Sequence, residues 1–226
     1  MLKVIFFDPL YTALVFLSSH MPGADLGLAI IVLTLGVKLI LLPFYHQSLV
    51  TQIKLKKIDP EIKKIKEESK GDKGEETKKL LALYKINKIN PFIGMVVMLV
   101  QLPIIIALFY VFKSSVDLAG ANHIFLGILD VTGHNYVTAI LTGITQFFQI
   151  KLSLPTLPSK STEESSFSND LTRSMHWQMK YFMPVVIVVV AAGLPSALSL
   201  CWITSNLFGI GYEVLIRRRL LLKSQV

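Results

Sequence analysis

The sequence predicts an all-α, polytopic membrane protein with five transmembrane helices and a cytoplasmic helical hairpin, and three observations carry that reading. The 226 residues are 52% hydrophobic and 17% charged, with mean hydropathy +0.57, whereas soluble chains carry about 25% charged residues. Five charge-poor windows approach the roughly 20 apolar residues needed to cross a bilayer. Lys and Arg crowd onto alternate connecting segments: twelve fall in 46–90, four in 151–180 and four in 217–223, twenty of the 23 in all. The positive-inside rule makes those segments cytoplasmic, with the N-terminus outside and the C-terminus inside.

The first segment, 1–25, resembles a signal peptide only superficially, because Ser18-Ser19-His20-Met21-Pro22 is a poor small-residue cleavage site. Asp8-Pro9 reads instead as an N-cap followed by proline at the first helical position, giving a short interfacial helix over about 9–19 on the outer face. The first span is 26–45, apolar but for Thr34 and Lys38.

Residues 46–90 are too long and too regular for a structureless loop. Ile58, Ile62 and Ile65 recur at i, i+4 and i+7 among lysines, an amphipathic pattern. Gly71-Asp72-Lys73-Gly74 reads as a turn, and a second helix follows from about 75 to 88 with Leu80, Leu81 and Tyr84 on one face. The segment is thus a basic helical hairpin, whose charge either sets topology alone or also meets anionic headgroups or an incoming chain.

The second span is 91–113, with Gln101 midway, and the outer loop 114–134 is nearly uncharged and apolar at 124–129, so that it is expected to dip into the headgroups. The third span is 135–152. Residues 153–176 are polar and read as a flexible cytoplasmic linker. From 181 to 212 the chain has 32 consecutive uncharged residues, about 48 Å as one helix and too long for a bilayer. Gly193-Leu194-Pro195-Ser196 divides it into spans 177–194 and 196–216, ahead of a basic tail, 217–226.

An ionisable group inside a span costs about 2.5–3.5 kcal/mol at its centre, which makes Lys38 a functional candidate, with snorkelling as the bland alternative. Thr34 shares its face one turn earlier. Thr142, Gln146 and Gln149 line one stripe of the third span, and Ser199, Trp202 and Asn206 line one of the fifth, with Ser205 adjacent. Each stripe alone is ordinary interhelical hydrogen bonding. Together with a cation they suggest a shared, water-accessible cavity. No carboxylate lies deep in a span, and Glu213, near the cytoplasmic end, reads as far from any partner.

Enzymatic chemistry is not expected. The histidines fall in loops or, for His46, at a boundary, so an intramembrane Ser–His protease lacks its base, and an aspartyl protease lacks both carboxylates. A Ser–Lys dyad would need a serine facing Lys38. The single cysteine, Cys201, excludes a disulfide framework, and no Cys/His cluster suggests a metal or cofactor.

Six pieces in order carry a wider resemblance: Lys38 followed by Pro43; Leu83-Tyr84-Lys85 with Lys88-Ile89-Asn90-Pro91; Gln101-Leu102-Pro103-Ile104; Phe182-Met183-Pro184; Gly193-Leu194-Pro195-Ser196; and Thr204-Ser205-Asn206-Leu207. On these the chain resembles the YidC/Oxa/Alb family of membrane protein insertases over nearly its whole length. The resemblance implies five helices around a hydrophilic groove open to the cytoplasm and to lipid but closed outside, in a bacterial inner membrane. It implies a chaperone-like role without nucleotide hydrolysis. A nascent membrane protein's short outer segment is drawn into the groove while its apolar helix slides along the second and fifth spans. Nascent membrane proteins and the bilayer are the implied partners, with the ribosome and the Sec translocon beside them, and no sequence-specific nucleic-acid binding.

Lys38 stands where the family usually has Arg, keeping the charge but losing bidentate carboxylate recognition. Thr34, Gln149 and Trp202 match positions resembling the family's groove lining, and helical spacing adds Gln146 and Asn206. The chain reads as lacking the large outer domain of many relatives and the long basic tail of some. Two other classes compete: a small channel or transporter using the same stripes, against which stands the lack of an internal repeat, and a structural subunit of a larger complex.

Overall fold

The computed structural model describes residues 7–69, 72–90, 93, 106, 109–110, 120–153 and 177–223. Most of the expected second span, Gln101 included, and most of the 153–176 linker lie outside the described residues. The chain forms two compact units, Met1–Ile40 with Leu102–Val226, and Leu41–Gln101.

In the first unit, α1 (Asp8–His20) and α2 (Leu26–Ile40) are followed by a hairpin of β1 (Ile124–Phe125) and β2 (Leu129–Asp130). Then come α6 (Tyr136–Ser153), α7 (Met183–Ala192) and α8 (Ser196–Lys223). The helices pack mainly in the order α1, α2, α8, α6, α7, so α8 lies between α2 and α6. Of the described helices, the stretch Ser196–Arg219 is by itself long and apolar enough to cross a membrane.

α1 begins one residue earlier than expected. Its N-cap is Phe7, which supplies no side-chain hydrogen bond, so Asp8 is not the cap but lies in the first turn, where its charge suits the helix dipole. α2 ends at Ile40 because Pro43 has no N–H to give and its ring would clash with the carbonyl of residue 39; the next helix starts at Leu42. Before α7, a π-helical turn at Gln178–Phe182 widens the helix just where Pro184 would otherwise collide with the carbonyl of Lys180. The expected break at 193–195 is present, with Gly193 and Leu194 N–H groups returning to Val190 and Ala191 at 3.1 and 3.2 Å. α8 then runs on through residue 223, so the basic tail begins as helix rather than as a separate segment.

Gly143 permits the close packing of α6 on α7: a Cβ there would meet Val188 and come within 3.2 Å of the Pro184 carbonyl.

The second unit holds α3 (Leu42–Lys57), α4 (Asp59–Glu68) and α5 (Lys73–Ile86), with α4 and α5 packed as the expected hairpin. Ile58, between α3 and α4, is buried, while Ile62 and Ile65 are half-buried. Asp72 caps α5, its carboxylate accepting from Gly74 and Glu75 N–H groups at 2.8 and 3.2 Å, while its own N–H returns to Ser69 O at 2.8 Å. Leu80 and Tyr84 are half-buried but Leu81 is exposed, since neighbours in a helix point about 100° apart. α5 ends with Ile89 N–H on Tyr84 O at 2.8 Å and Lys88 N–H on Lys85 O at 3.2 Å, the paired bonds of a Schellman motif. Lys88 occupies its left-handed position, φ +51, usually taken by glycine.

Candidate functional site: the α2, α6 and α8 faces

The six expected site residues lie on three helices of one unit: Thr34 and Lys38 on α2, Gln146 and Gln149 on α6, Trp202 and Asn206 on α8. Thr34 is buried, donates to Ile30 O at 2.7 Å and lies within hydrogen-bonding reach of the buried Cys201. It therefore belongs to the α2–α8 contact. Lys38, one turn further on, is half-buried in the last turn of α2 rather than mid-helix, because the helix stops at Ile40. There its charge meets the negative end of the helix dipole, which offsets part of its burial cost.

The polar stripes divide. Along the α6–α8 seam Thr142 Oγ1 donates to Thr138 O at 2.8 Å and reaches Ser199 O at 3.4 Å. Asn206 Nδ2 donates to Thr145 Oγ1 at 3.1 Å, and Ser153 Oγ donates to Glu213 Oε2 at 2.7 Å. The partners Ser199, Asn206 and Glu213 are spaced by seven residues, two helical turns, so they share a face. Their α6 partners ascend in the same order, which makes α6 and α8 parallel. These cross-helix bonds use Thr142, Thr145 and Ser153 and leave Gln146, Gln149 and Trp202 half-exposed.

Glu213 is fully buried, and its expected isolation is corrected. Arg217, one turn on, donates to Oε1 through Nε at 2.9 Å and Nη2 at 2.6 Å, and Nη2 also reaches Leu152 O at 2.7 Å. The signal was present as Glu and Arg at i and i+4. With Ser153 the cluster ties the C-terminal end of α6 to α8, and each carboxylate oxygen has a donor.

At the opposite end, sequence reasoning missed Asp25. Its buried carboxylate caps α2, accepting from Gly27 and Leu28 N–H groups at 2.8 and 3.1 Å, and its other oxygen accepts Leu126 N–H at 2.8 Å. An Asp directly before an apolar helix was the available signal. Phe125 packs on Gly27 so closely that a Cβ at 27 would overlap its ring. Val131 and Gly133 carbonyls accept N–H groups of Ala197 and Ser196 at 2.8 Å, satisfying donors that the start of α8 would otherwise leave orphaned. Ser196 Oγ adds a bond to Gly133 O at 2.7 Å. Beside it, Thr132 holds the Asp130 carboxyl below its usual range through hydroxyl and backbone bonds. The 122–133 loop thus covers the first turns of both α2 and α8, while the tip residues Leu126 and Ile128 stay exposed.

Among the described residues no His, Cys, Asp and Glu cluster could hold a metal ion. Packed apolar helices that carry Lys38 half-buried in the last turn of α2 and half-exposed Gln146 and Gln149 define a mainly helical protein with a polar face among its apolar helices. The sequence profile of the 60Kd inner membrane protein family matches residues 16–223, and the chain belongs to that family. It is 34% identical over 197 residues to the membrane protein insertase YidC of Clostridium tetani, covering 87% of this chain and 84% of that one. The YidC insertase of Alcanivorax borkumensis is 34% identical over 226 residues, covering 94% of this chain and 36% of the relative. That of Wolinella succinogenes is 31% identical over 195 residues, covering 86% and 34%. The chain thus spans about a third of the longer relatives and most of the Clostridium one.

Proposed function

We infer that this chain, by family a membrane protein insertase and not an enzyme, receives the polar segment of a nascent membrane protein on the surface formed by α2, α6 and α8. The reading has five spans, N-terminus outside and C-terminus cytoplasmic, in a bacterial inner membrane, with the groove open towards the cytoplasm. Twenty of 23 cations on alternate segments support the orientation. The parallel run of α6 and α8, with α7 between them in sequence, agrees with two spans of the same sense.

The observation that carries the mechanism is Lys38, a half-buried cation next to buried Thr34, on the unit that also presents half-exposed Gln146, Gln149 and Trp202. A cation in a low-dielectric setting attracts acidic residues of the incoming segment more strongly than it would in water. Amide and hydroxyl groups replace part of the hydration that a polar chain loses on entering the membrane. Asn206 is aimed by Thr145 and forms part of the wall. The substrate's apolar helix leaves into lipid, and its partition supplies the driving force without nucleotide. The ribosome and the Sec translocon are further partners in this reading.

Purified protein reconstituted into liposomes tests this reading. A small single-span substrate with an acidic outer tail becomes protected from added protease when the protein is present. Ion or solute conductance without substrate insertion would favour the channel reading and defeat this one.

A further inference from the structure

We propose that a cleft between α3 and the chain following α5 binds the phosphate of an anionic lipid headgroup. The cleft has a volume of about 260 Å³ and lies within the 41–101 unit. Its polar lining is His46, Gln47, Thr51 and Lys54 on one face of α3, opposite Lys88 and Asn90. The lining includes two ammonium groups, an imidazole, two amides and a hydroxyl but no carboxylate, the donor set that a phosphate monoanion requires.

Two details go beyond a chance gathering of lysines. Lys54 Nζ lies 3.4 and 3.5 Å from the Asn87 and Lys88 carbonyls, long contacts that keep the ammonium beside the cleft. Lys88, which also lines the cleft, holds the left-handed position of the Schellman motif, where glycine is easier, at some cost in backbone strain. Val50 and Ile93 add an apolar wall suited to glycerol carbons, which free phosphate would not use. The cleft also lies where the chain leaves the first predicted span and enters the second, the level of the headgroups. This last point rests on the cytoplasmic placement of 46–90 proposed above.

The test uses the full-length protein in an uncharged detergent, titrated with dihexanoyl phosphatidylglycerol, dihexanoyl phosphatidylcholine and inorganic phosphate. Phosphatidylglycerol binds at least tenfold more tightly than the other two. Lys54→Gln and Lys88→Gly each weaken it about fivefold or more, and Lys64→Gln, on an exposed face of α4, leaves it unchanged. Lys88→Gly relieves the left-handed backbone, so its loss of binding comes without loss of fold. Unchanged affinity in both cleft variants, or an equal loss in Lys64→Gln, would overturn the site. Inorganic phosphate binding as tightly as phosphatidylglycerol would overturn the lipid assignment. No insertion substrate is present, so failure here leaves the groove reading intact, and failure of liposome insertion leaves this binding result standing.

Discussion

Glu213 and Arg217 are joined at 2.6 Å, one turn apart on α8, with the carboxylate fully buried and the guanidinium about a third exposed. The pair is held from α6 as well, through Ser153 Oγ and the Leu152 carbonyl. Arg217→Ala leaves Glu213 buried without its cation. Breaking such a pair costs about 3–5 kcal/mol when both partners are buried, and the exposure of Arg217 brings the expected loss to roughly 2–3 kcal/mol. Thermal unfolding in detergent reads it. Arg217→Ala with Glu213→Leu recovers much of the loss, because no orphan charge remains.

The α6–α8 seam should show the modest energetics of hydrogen bonds inside membranes. A double-mutant cycle on Asn206→Leu and Thr145→Val is expected to give a coupling of about 0.6 kcal/mol, and no more than about 2. Ser199 behaves differently. Its buried hydroxyl has no hydrogen-bond partner among the described residues, so Ser199→Ala is neutral or slightly stabilising in the same assay.

Asp25 and Gly27 fasten the β1–β2 hairpin to α2. Asp25→Ala removes the acceptor for three backbone N–H groups, at a cost of about 1–2 kcal/mol, and the Leu126 amide exchanges its hydrogen faster. Gly27→Ala forces the Phe125 ring aside, costing about 1–3 kcal/mol. Phe125→Leu in the Gly27→Ala background restores part of that loss if ring overlap is the cause.

Orientation is open to cysteine labelling. Ser69 lies centrally in the hairpin but is buried, so a thiol there would report burial rather than sidedness. Glu75 is exposed, and the natural Cys201 is buried and contributes little background. Glu75→Cys in intact cells is expected to resist a membrane-impermeant maleimide and to react once the membrane is opened. Labelling from outside would reverse the topology.

Much of the helical framework was legible because apolar windows, charge runs and Pro–Gly punctuation are local signals. The 193–195 break and the α4–α5 hairpin follow from such signals. What escaped depends on which elements meet. Helical spacing puts Asn206 in the groove lining and Thr142 on the same stripe as Gln146, but it cannot say which neighbour a face meets, and both also make bonds in the α6–α8 seam. The two-stranded hairpin at 124–130 was hidden because strands of two residues carry no alternation to detect. That Lys38 lies in the last turn of a helix ending at Ile40 was not foreseen, because the reach of Pro43 back to residue 39 was overlooked. Lys38, Thr34, Gln146, Gln149, Trp202 and Asn206 all remain groove candidates.

Lys38 carries the central claim, that one positive charge on α2 draws in acidic segments of the substrate. The direct measurement is liposome insertion of a single-span substrate bearing either an acidic or a neutral outer tail, by protein with Lys38, Lys38→Arg, Lys38→Ala or Lys38→Glu. Lys38→Arg retains insertion of the acidic-tailed substrate. Lys38→Ala slows it about tenfold, the equivalent of about 1.4 kcal/mol, Lys38→Glu slows it further, and the neutral-tailed substrate changes little. Equal insertion of the acidic-tailed substrate by all four proteins would contradict the claim and leave Lys38 as a snorkelling side chain.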